Sequence, residues 1–286
     1  MNKKMCIVTW VYGSKYQGWI PVYLYSIKKN YPQYDVKIYV DRKIPASIYS
    51  IIQDFQLTDC VEIIEDTFGE GEIHYKSNME KRCFRWLICN RELYEKYDYI
   101  YIGDVDIYIV KEEKSILEQH VDNMQQIKCL YSNAIRLKFT DYIRHSGRMA
   151  SYHLCKLTGL HFVDAKRYFP KVKKAQQIIM RYLKSRRFWL IDKLFFSDDE
   201  RCLWLLVWLS GIRMPSVSYE LSASAFRPLH GIHFAIGREY DIYNKIFREG
   251  DNKFKVHSEY FYMFVKVLDD TLYGVDKGES IWKNDS

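Results

Sequence analysis

The sequence predicts an α/β protein whose core is a mainly parallel, Rossmann-like sheet flanked by helices. Short apolar runs rich in β-branched and aromatic residues alternate with longer segments in which apolar residues recur at helical spacing. Polar stretches that carry glycine or proline separate these segments. Strands that alternate with helices in this way pair in parallel, because each helix returns the chain to the same end of the sheet.

The first part of the chain supplies the clearest alternation. Predicted strands cover residues 6–11, 35–40, 61–64 and 99–102, and predicted helices cover residues 19–29, 45–55 and 79–94. Pro32 follows the first helix, where a residue without an amide hydrogen stops helix growth. Residues 66–77 carry glycines and acidic side chains and are predicted as a loop.

The later part of the chain is less regular. Predicted helices cover residues 112–124, 165–169, 170–183 and 198–210, and predicted strands cover residues 127–131, 160–163 and 212–217. Residues 132–151 have no clear period and are rich in basic and aromatic side chains. We predict an irregular insertion there that faces the substrate.

Composition limits the class of protein. The chain has 286 residues, 48% hydrophobic and 28% charged, as in globular domains, and a net charge of +7 that suits phosphate-bearing partners. Its seven cysteines form no CxxC pair, which predicts reduced thiols in the cytoplasm. No secretion signal or membrane span is recognisable in the sequence. No nucleic-acid-binding motif is recognisable either, so we expect no nucleic-acid partner.

The most informative motif is a pair of aspartates behind a strand. The run Tyr99–Ile102 ends at Gly103, and Asp104 and Asp106 follow. Open α/β sheets bind ligands at the carboxyl ends of their strands, and paired carboxylates there suit Mn²⁺ or Mg²⁺ holding a diphosphate. The alternative is a solvated strand end in which an aspartate caps the following helix.

Two neighbouring segments offer further contacts to a nucleotide. Arg82 and Arg85 are three residues apart on the predicted helix, so they share one face of it. That face can reach phosphates; the alternative is a basic face that is only solvated. Thr9, Trp10 and Tyr12 lie at the end of the first strand, where an aromatic ring can stack on a base. For Trp10, a place in the core is the alternative.

A late segment rich in histidine and glycine completes the candidate ligands. His230 and His233 offer nitrogen ligands to the metal. Gly237 permits close approach of the backbone to a phosphate, and Arg238 can add a charge-assisted hydrogen bond. Histidines in a core or on a plain surface are the alternative.

Acidic residues open one strongly apolar helix. Asp198, Asp199 and Glu200 precede and begin this helix, where a carboxylate can face an acceptor hydroxyl or the anomeric carbon of a sugar. The alternative is that they cap the helix and complement its dipole.

Residues 171–196 interleave basic and aromatic side chains. They predict either peripheral contact with an anionic membrane, at the inner membrane surface, with Phe188, Trp189, Phe195 and Phe196 at the interface, or a solvated basic face.

With these residues in view, the chain resembles the GT-A glycosyltransferases and is similar to glycosyltransferase family 8, the group related to glycogenin. The resemblance rests on the aromatic turn after the first strand, on the basic segment 81–87 before Asp104 and Asp106, and on the His-Phe segment 232–238. It implies a GT-A fold over residues 1–240, a helical and aromatic appendage over residues 241–286, and a histidine that completes the metal site.

The expected activity is therefore that of a metal-dependent hexosyltransferase in the cytoplasm. The resemblance implies Mn²⁺ or Mg²⁺ as cofactor, a UDP-sugar as donor, a glycan or lipid-linked glycan as acceptor, and retention of anomeric configuration. Two other classes stay open: a GT-A-like module that only binds a nucleotide or glycan, and a sugar nucleotidyltransferase. The second is disfavoured because the first strand lacks a glycine-rich, arginine-bearing loop for a triphosphate.

Overall fold

The structure is a computed structural model that describes residues 3–68, 78–88, 91–109, 111–133, 135–136, 156–185, 188–196, 198–215 and 231–233. Its strands are β1 Met5–Val11, β2 Asp35–Val40, β3 Val61–Ile64, β4 Tyr99–Gly103, β5 Ile107–Ile109, β6 Tyr131–Ser132, β7 Ile135–Arg136, β8 Lys156–Leu157, β9 His161–Asp164 and β10 Gly231–His233. Its α-helices are α1 Ser14–Gln17, α2 Ile20–Asn30, α3 Ala46–Asp54, α4 Asn78–Cys83, α5 Arg91–Lys96, α6 Ile116–Ile127, α7 Ala165–Lys184, α8 Trp189–Ile191 and α9 Asp199–Leu209. Short 3-10 turns cover Thr58–Cys60 and Phe84–Trp86, and a π-helical turn covers Asp192–Phe196.

Six strands form one mixed, mostly parallel sheet with the order β3-β2-β1-β4-β9-β6. Strand β2 pairs in parallel with β3, and β1 pairs in parallel with β4, whereas β9 is antiparallel to both β4 and β6. The predicted α/β class, with a mainly parallel sheet flanked by helices, is confirmed. Every residue of β1 is buried, as expected for a strand covered on both faces of a parallel sheet.

The chain divides into two compact units. The first comprises Met1–Trp10, Phe68–Asp104 and Glu112–Arg227, and the second comprises Val11–Thr67, Val105–Lys111 and Pro228–Ser286. The predicted division into residues 1–240 and an appendage over 241–286 stays a prediction, because residues 234–286 lie outside the described part of the chain.

Within the first unit, register and helix caps define the elements that carry the candidate site. The β1–β4 pairing sets Thr9, near the end of β1, opposite Gly103 at the carboxyl end of β4. The side chain of Asp198 accepts a hydrogen bond from the Glu200 amide and begins α9. Helix α6 starts later than predicted because Ser115 and Glu118 form a reciprocal capping box.

Three further predicted helices of the first unit differ from the observed ones. The helix predicted over 79–94 is described as α4, a 3-10 turn and α5. The helices predicted over 165–169 and 170–183 are one helix, α7, with Pro170 inside it. Proline removes one hydrogen bond there, but the buried apolar face of α7, which includes Phe169 and Val172, outweighs that loss.

The second unit contains the β2–β3 pair and a small two-stranded sheet. Strand β10 is antiparallel to β5, and its register sets His233 opposite Ile107. The backbone of β5 is anchored on α2, since the Ile109 amide donates to the Ser26 hydroxyl at 3.0 Å and its carbonyl accepts from the Asn30 amide group at 2.8 Å.

Within the described ranges, none of the helices combines the length and the apolar character that crossing a bilayer requires.

Candidate functional site

The carboxyl end of β4 positions Asp104. Thr9 is fully buried, and its hydroxyl donates to the Gly103 carbonyl at 2.9 Å, which ties the end of β4 to β1. Asp104 follows directly, with its side chain 36% exposed. The hydroxyl predicted to touch a cofactor therefore holds the backbone that presents Asp104.

Arg85 joins two of the predicted acidic residues. Its side chain is 8% exposed, and its guanidinium forms ion pairs with Asp104 through Nη1 and with Asp199 through Nη2. The guanidinium carbon also lies 4.2 Å from the centroid of the Trp86 ring. Three segments that are distant in sequence thus meet at one planar cation, as the fork geometry of arginine allows.

The surroundings of Arg85 keep it charged. Burial by itself lowers the pKa of a guanidinium, but the negative charges of Asp104, Asp199 and Glu200 raise the pKa of Arg85 above its ordinary value. Arg85 therefore supplies a permanent positive charge between two carboxylates.

Asp199 is held from several sides at the first turn of α9. The Trp86 indole donates to the Asp199 carbonyl at 2.8 Å, and the Gln176 side chain donates to the Trp86 carbonyl at 2.9 Å. Asp199 Oδ2 accepts from Arg85, whereas Oδ1 has no hydrogen-bond partner among the described residues. Asp199 thus keeps one carboxylate oxygen available for a ligand.

Lys156 bridges the two acidic neighbours of Asp199. Its Nζ lies 2.9 Å from Asp198 Oδ2 and 2.6 Å from Glu200 Oε2. Burial lowers the pKa of Lys156, but its hydrogen bonds and the charges of both carboxylates outweigh burial and raise it. Burial raises the pKa of Asp198, whereas the hydrogen bond from Lys156 lowers it, and on balance the pKa of Asp198 is lowered. Lys156 and Asp198 are therefore both charged near neutral pH.

These contacts define the charge cluster, which comprises Arg85, Asp104, Lys156, Asp198, Asp199 and Glu200. Four carboxylates face two cations, so the cluster has a formal excess of negative charge. The Gly159 amide donates to Glu200 Oε1 at 3.1 Å, and a Cβ added at Gly159 would lie 2.9 Å from Arg85 Nη2. The segment between β8 and β9 can approach the cluster this closely because glycine has no side chain.

Sequence reasoning missed two groups beside or within the cluster. Lys156 belongs to a two-residue strand, where no periodic signal marks a single lysine. His161 is fully buried, with Nδ1 3.0 Å from the Asn133 side-chain nitrogen and its ring 6.0 Å from that of Trp86. Burial, and then the charge of Arg85, lowers the pKa of His161 to about 3, so it is neutral.

Two other residues predicted to contact the cofactor, Trp10 and Arg82, are not part of the charge cluster. Trp10 is buried, its indole donates to the Lys81 carbonyl at 2.8 Å, and its ring packs against Phe68 and Phe84, which favours the core alternative. Arg82 is exposed on α4. Because α4 ends at Cys83 and Arg85 lies in the following 3-10 turn, the two arginines do not share a helix face.

The second unit carries the remaining described candidates. Tyr12 is half-buried, with its ring 5.5 Å from that of Tyr16. Asp106 is buried directly before β5, and the β5–β10 register places His233 opposite its neighbour Ile107. His230, Gly237 and Arg238 lie outside the described residues.

No cluster of three or more histidine, cysteine, aspartate or glutamate side chains suited to a metal ion occurs in the described ranges. The residues predicted as ligands are carboxylates and an imidazole, which suit Mn²⁺ or Mg²⁺ in chemical type. Magnesium is usually held by one or two carboxylates together with substrate phosphates, so a cage made wholly of protein groups is not required.

Comparison with known proteins gives no family. No protein-family model matches the chain, and no curated protein matches it. Solved structures that align with it include galactosyltransferase LgtC in complex with donor and acceptor sugar analogs, at 11% identity and a TM-score of 0.37 over 64% of this chain and 67% of that one.

Two further aligned structures are also glycosyltransferases by description. Glycosyltransferase GlyE of Streptococcus pneumoniae TIGR4 is 13% identical, with a TM-score of 0.40 over 79% of this chain and 50% of its own. The mannosyltransferase Ktr4p of S. cerevisiae is 12% identical, with a TM-score of 0.42 over 64% of this chain and 60% of its own. The aligned region thus spans half of GlyE and less than two thirds of Ktr4p. At these TM-scores, none of the likenesses assigns a function to this chain.

Proposed function

We propose that this protein is a metal-dependent hexosyltransferase of GT-A type that moves a sugar from a nucleotide donor, expected to be a UDP-sugar, to a glycan or lipid-linked glycan. One observation carries the proposal. Arg85 binds both Asp104 at the carboxyl end of β4 and Asp199 at the start of α9. Residues that the sequence nominated separately for donor binding and for sugar chemistry are therefore in direct contact.

The position of the cluster supports donor binding. The carboxyl ends of parallel strands are where open α/β sheets bind nucleotides, and β4 ends at Gly103, which pairs with Thr9 near the end of β1. Asp104 is partly exposed there, while Arg85 behind it is buried. Arg85 acts in this proposal as a positioning residue that fixes one oxygen of Asp104.

Metal dependence is part of the proposal. Asp104 and Asp106 are the proposed carboxylate ligands, with His233 and His230 as candidates for a nitrogen ligand. A bound Mn²⁺ or Mg²⁺ would neutralise charge on a departing diphosphate. The support is the chemical type of these residues, the place of Asp104 after β4, and the β5–β10 register that brings the His233 backbone opposite the residue after Asp106.

Within the acidic trio, Asp199 is the proposed group that faces the anomeric carbon or the acceptor hydroxyl. Both carboxylate oxygens of Asp198 and of Glu200 already have partners: Lys156, the Glu200 amide and the Gly159 amide. Asp199 alone of the three has an oxygen with neither a hydrogen bond nor an ion pair to a described residue. Asp198 and Glu200 then hold Lys156 and the β8–β9 segment in place. Retention of configuration follows from the family 8 resemblance and belongs to the proposal, as does a cytoplasmic location.

The test is a panel of nucleotide sugars assayed for hydrolysis and transfer with Mn²⁺, Mg²⁺ or a chelator. We expect metal-dependent turnover of a UDP-sugar. Asp104→Asn should reduce turnover by about a hundredfold or more, because removal of a charge that stabilises the transition state typically has that effect. The matched control is Asp122→Asn on α6, since Asp122 pairs with Lys114 in an exposed salt bridge and should leave turnover unchanged.

Three outcomes would contradict the proposal. Equal turnover by Asp104→Asn in the presence of chelator would exclude metal-dependent chemistry at this aspartate. Tight nucleotide binding without hydrolysis of any donor would indicate a binding module. Release of pyrophosphate from a nucleoside triphosphate and a sugar phosphate would indicate a nucleotidyltransferase.

A further inference from the structure

Three consecutive apolar side chains lie on the surface of the first unit. Phe188 and Trp189 are each 70% exposed, and Leu190 is 57% exposed. We call these three residues the apolar turn. Monomeric proteins rarely expose contiguous large apolar side chains unless the patch binds something.

The apolar turn is held in place by its neighbours. The Tyr182 hydroxyl accepts a hydrogen bond from the Phe188 amide at 3.1 Å and donates to Asp192 Oδ1 at 2.9 Å. The Tyr182 ring stacks on Phe196 at 5.4 Å, and the Asp192 amide donates to the Phe188 carbonyl at 3.0 Å. The exposed side chains therefore project from a fixed base, and the backbone of the turn loses little conformational freedom on binding.

Phe196 belongs to this base. It is 2% exposed, so it is part of the core and cannot reach an interface, contrary to the expectation from the sequence. Phe195 is half-buried. Of the four aromatic residues expected at the interface, Phe188 and Trp189 are the ones that are largely exposed.

The helix that leads into the apolar turn is basic along its exposed surface. Helix α7 contains lysines and arginines but no aspartate or glutamate. Exposed Lys171, Lys174 and Arg181 are separated by three and seven residues, a spacing that sets them on one face, and Ile178 on the same face is 48% exposed. Beside the turn, Lys193 Nζ lies 5.0 Å from the centroid of the Trp189 ring.

We propose that residues 171–196 dock on an anionic lipid bilayer, with the apolar turn inserted at the headgroup level and the basic face of α7 against the lipid phosphates. Aromatic side chains next to basic ones are characteristic of interfacial binding. Each lysine or arginine near an anionic leaflet strengthens binding in a salt-sensitive way. The cations of α7, with no carboxylate among them, favour a bilayer over a second copy of this net-positive chain. The proposal does not depend on the proposed activity.

The first experiment is co-sedimentation of the full-length protein with vesicles. We expect binding to vesicles of phosphatidylcholine and phosphatidylglycerol at low salt, and about tenfold weaker binding at high salt or with phosphatidylcholine alone. Lys174→Glu with Arg181→Glu should weaken binding at least tenfold. The control with equal charge change is Lys43→Glu with Lys111→Glu, two exposed lysines of the second unit, which should weaken it less than threefold.

The second experiment identifies the inserted residue by tryptophan fluorescence. Brominated lipid should quench part of the emission, and Trp189→Phe should remove most of that quenching while binding persists. The control Trp208→Phe changes a tryptophan of α9 that is 58% exposed and should leave the quenching intact.

Several results would overturn the proposal. These are the absence of vesicle binding at low salt, equal binding by the Lys174/Arg181 variant and its control, and quenching that depends on Trp208 instead of Trp189. A concentration-dependent dimer that disappears with Trp189→Ser, in a protein that ignores vesicles, would assign the surface to a second copy. Unfolding curves of each variant distinguish loss of binding from loss of fold.

Discussion

Two cation–aromatic pairs of the first unit show how environment decides what similar side chains do. Arg85 lies over Trp86 at 4.2 Å, and Lys193 lies over Trp189 at 5.0 Å. The first pair is buried and bound by Asp104 and Asp199, whereas Trp189 in the second is largely exposed. The first pair therefore organises an interior site, and the second leaves its apolar surface available to a partner.

The energetic consequence follows from desolvation. A buried charge whose partner is removed keeps the cost of leaving water without the compensating attraction. An exposed charge is solvated whether or not it has a neighbour, so its removal changes the free energy of unfolding little. Substitutions in the two regions should therefore differ most in stability.

The largest effect is expected at Arg85. Arg85→Ala leaves Asp104 and Asp199 facing each other without their cation and should lower the free energy of unfolding by about 3 kcal/mol, as for other broken buried pairs. Arg85→Lys keeps the charge but loses the two-pronged geometry, so its loss should be smaller. The control Lys193→Ala should change the free energy of unfolding by less than about 0.5 kcal/mol. Urea unfolding measures the free energy of unfolding of all three variants. Equal losses for Arg85→Ala and Lys193→Ala would show that the buried pair contributes no more to stability than the exposed pair.

A smaller effect is expected from His161, which lies beside the buried pair. Its pKa is about 3 in the folded protein, lowered by burial and by the charge of Arg85, against 6.5 ordinarily. Between these values the unfolded chain binds a proton that the folded chain does not, so stability falls as the pH falls below about 6.5. From pH 7.5 to 5.5 this one group should cost about 1.4 kcal/mol.

The measurement is urea unfolding at both pH values for the wild type and for His161→Phe, whose ring fits among the aromatic neighbours Trp86, Tyr131 and Tyr168. The wild type should lose more stability than the variant between the two pH values. An identical loss in both proteins would show that His161 titrates normally.

The smallest effect is expected beneath the apolar turn. Tyr182→Phe removes the hydroxyl that bonds Phe188 and Asp192, and should cost about 1 kcal/mol, the usual net value of a hydrogen bond. Vesicle binding should weaken as well, because the turn is less fixed. Tyr94→Phe is the matched control, since the Tyr94 hydroxyl has no hydrogen bond to a described residue. If Tyr182→Phe changes neither stability nor vesicle binding, the Tyr182 hydroxyl does not fix the apolar turn.

Local sequence determined many of the elements. The strands β1, β2, β3, β4 and β9 and the helices α2, α3 and α9 lie within a residue or two of their predicted bounds. Each of them is specified by its own apolar pattern and its own end signals, as Asp198 shows at the start of α9. Periodicity and capping act over a few residues, so they can be recognised without knowing the rest of the fold.

Tertiary structure decided where that local information was incomplete. The sequence nominated Arg85, Asp104 and Asp199 one at a time, but only the packed fold shows that one guanidinium binds both carboxylates. Lys156 and the neutral state of His161 gave no local signal, because a charge or a pKa depends on neighbours distant in sequence. The basic and aromatic composition of residues 171–196 was evident from the sequence. That Phe196 is buried while Trp189 is exposed follows from packing against Tyr182 and its surroundings, which no local pattern records.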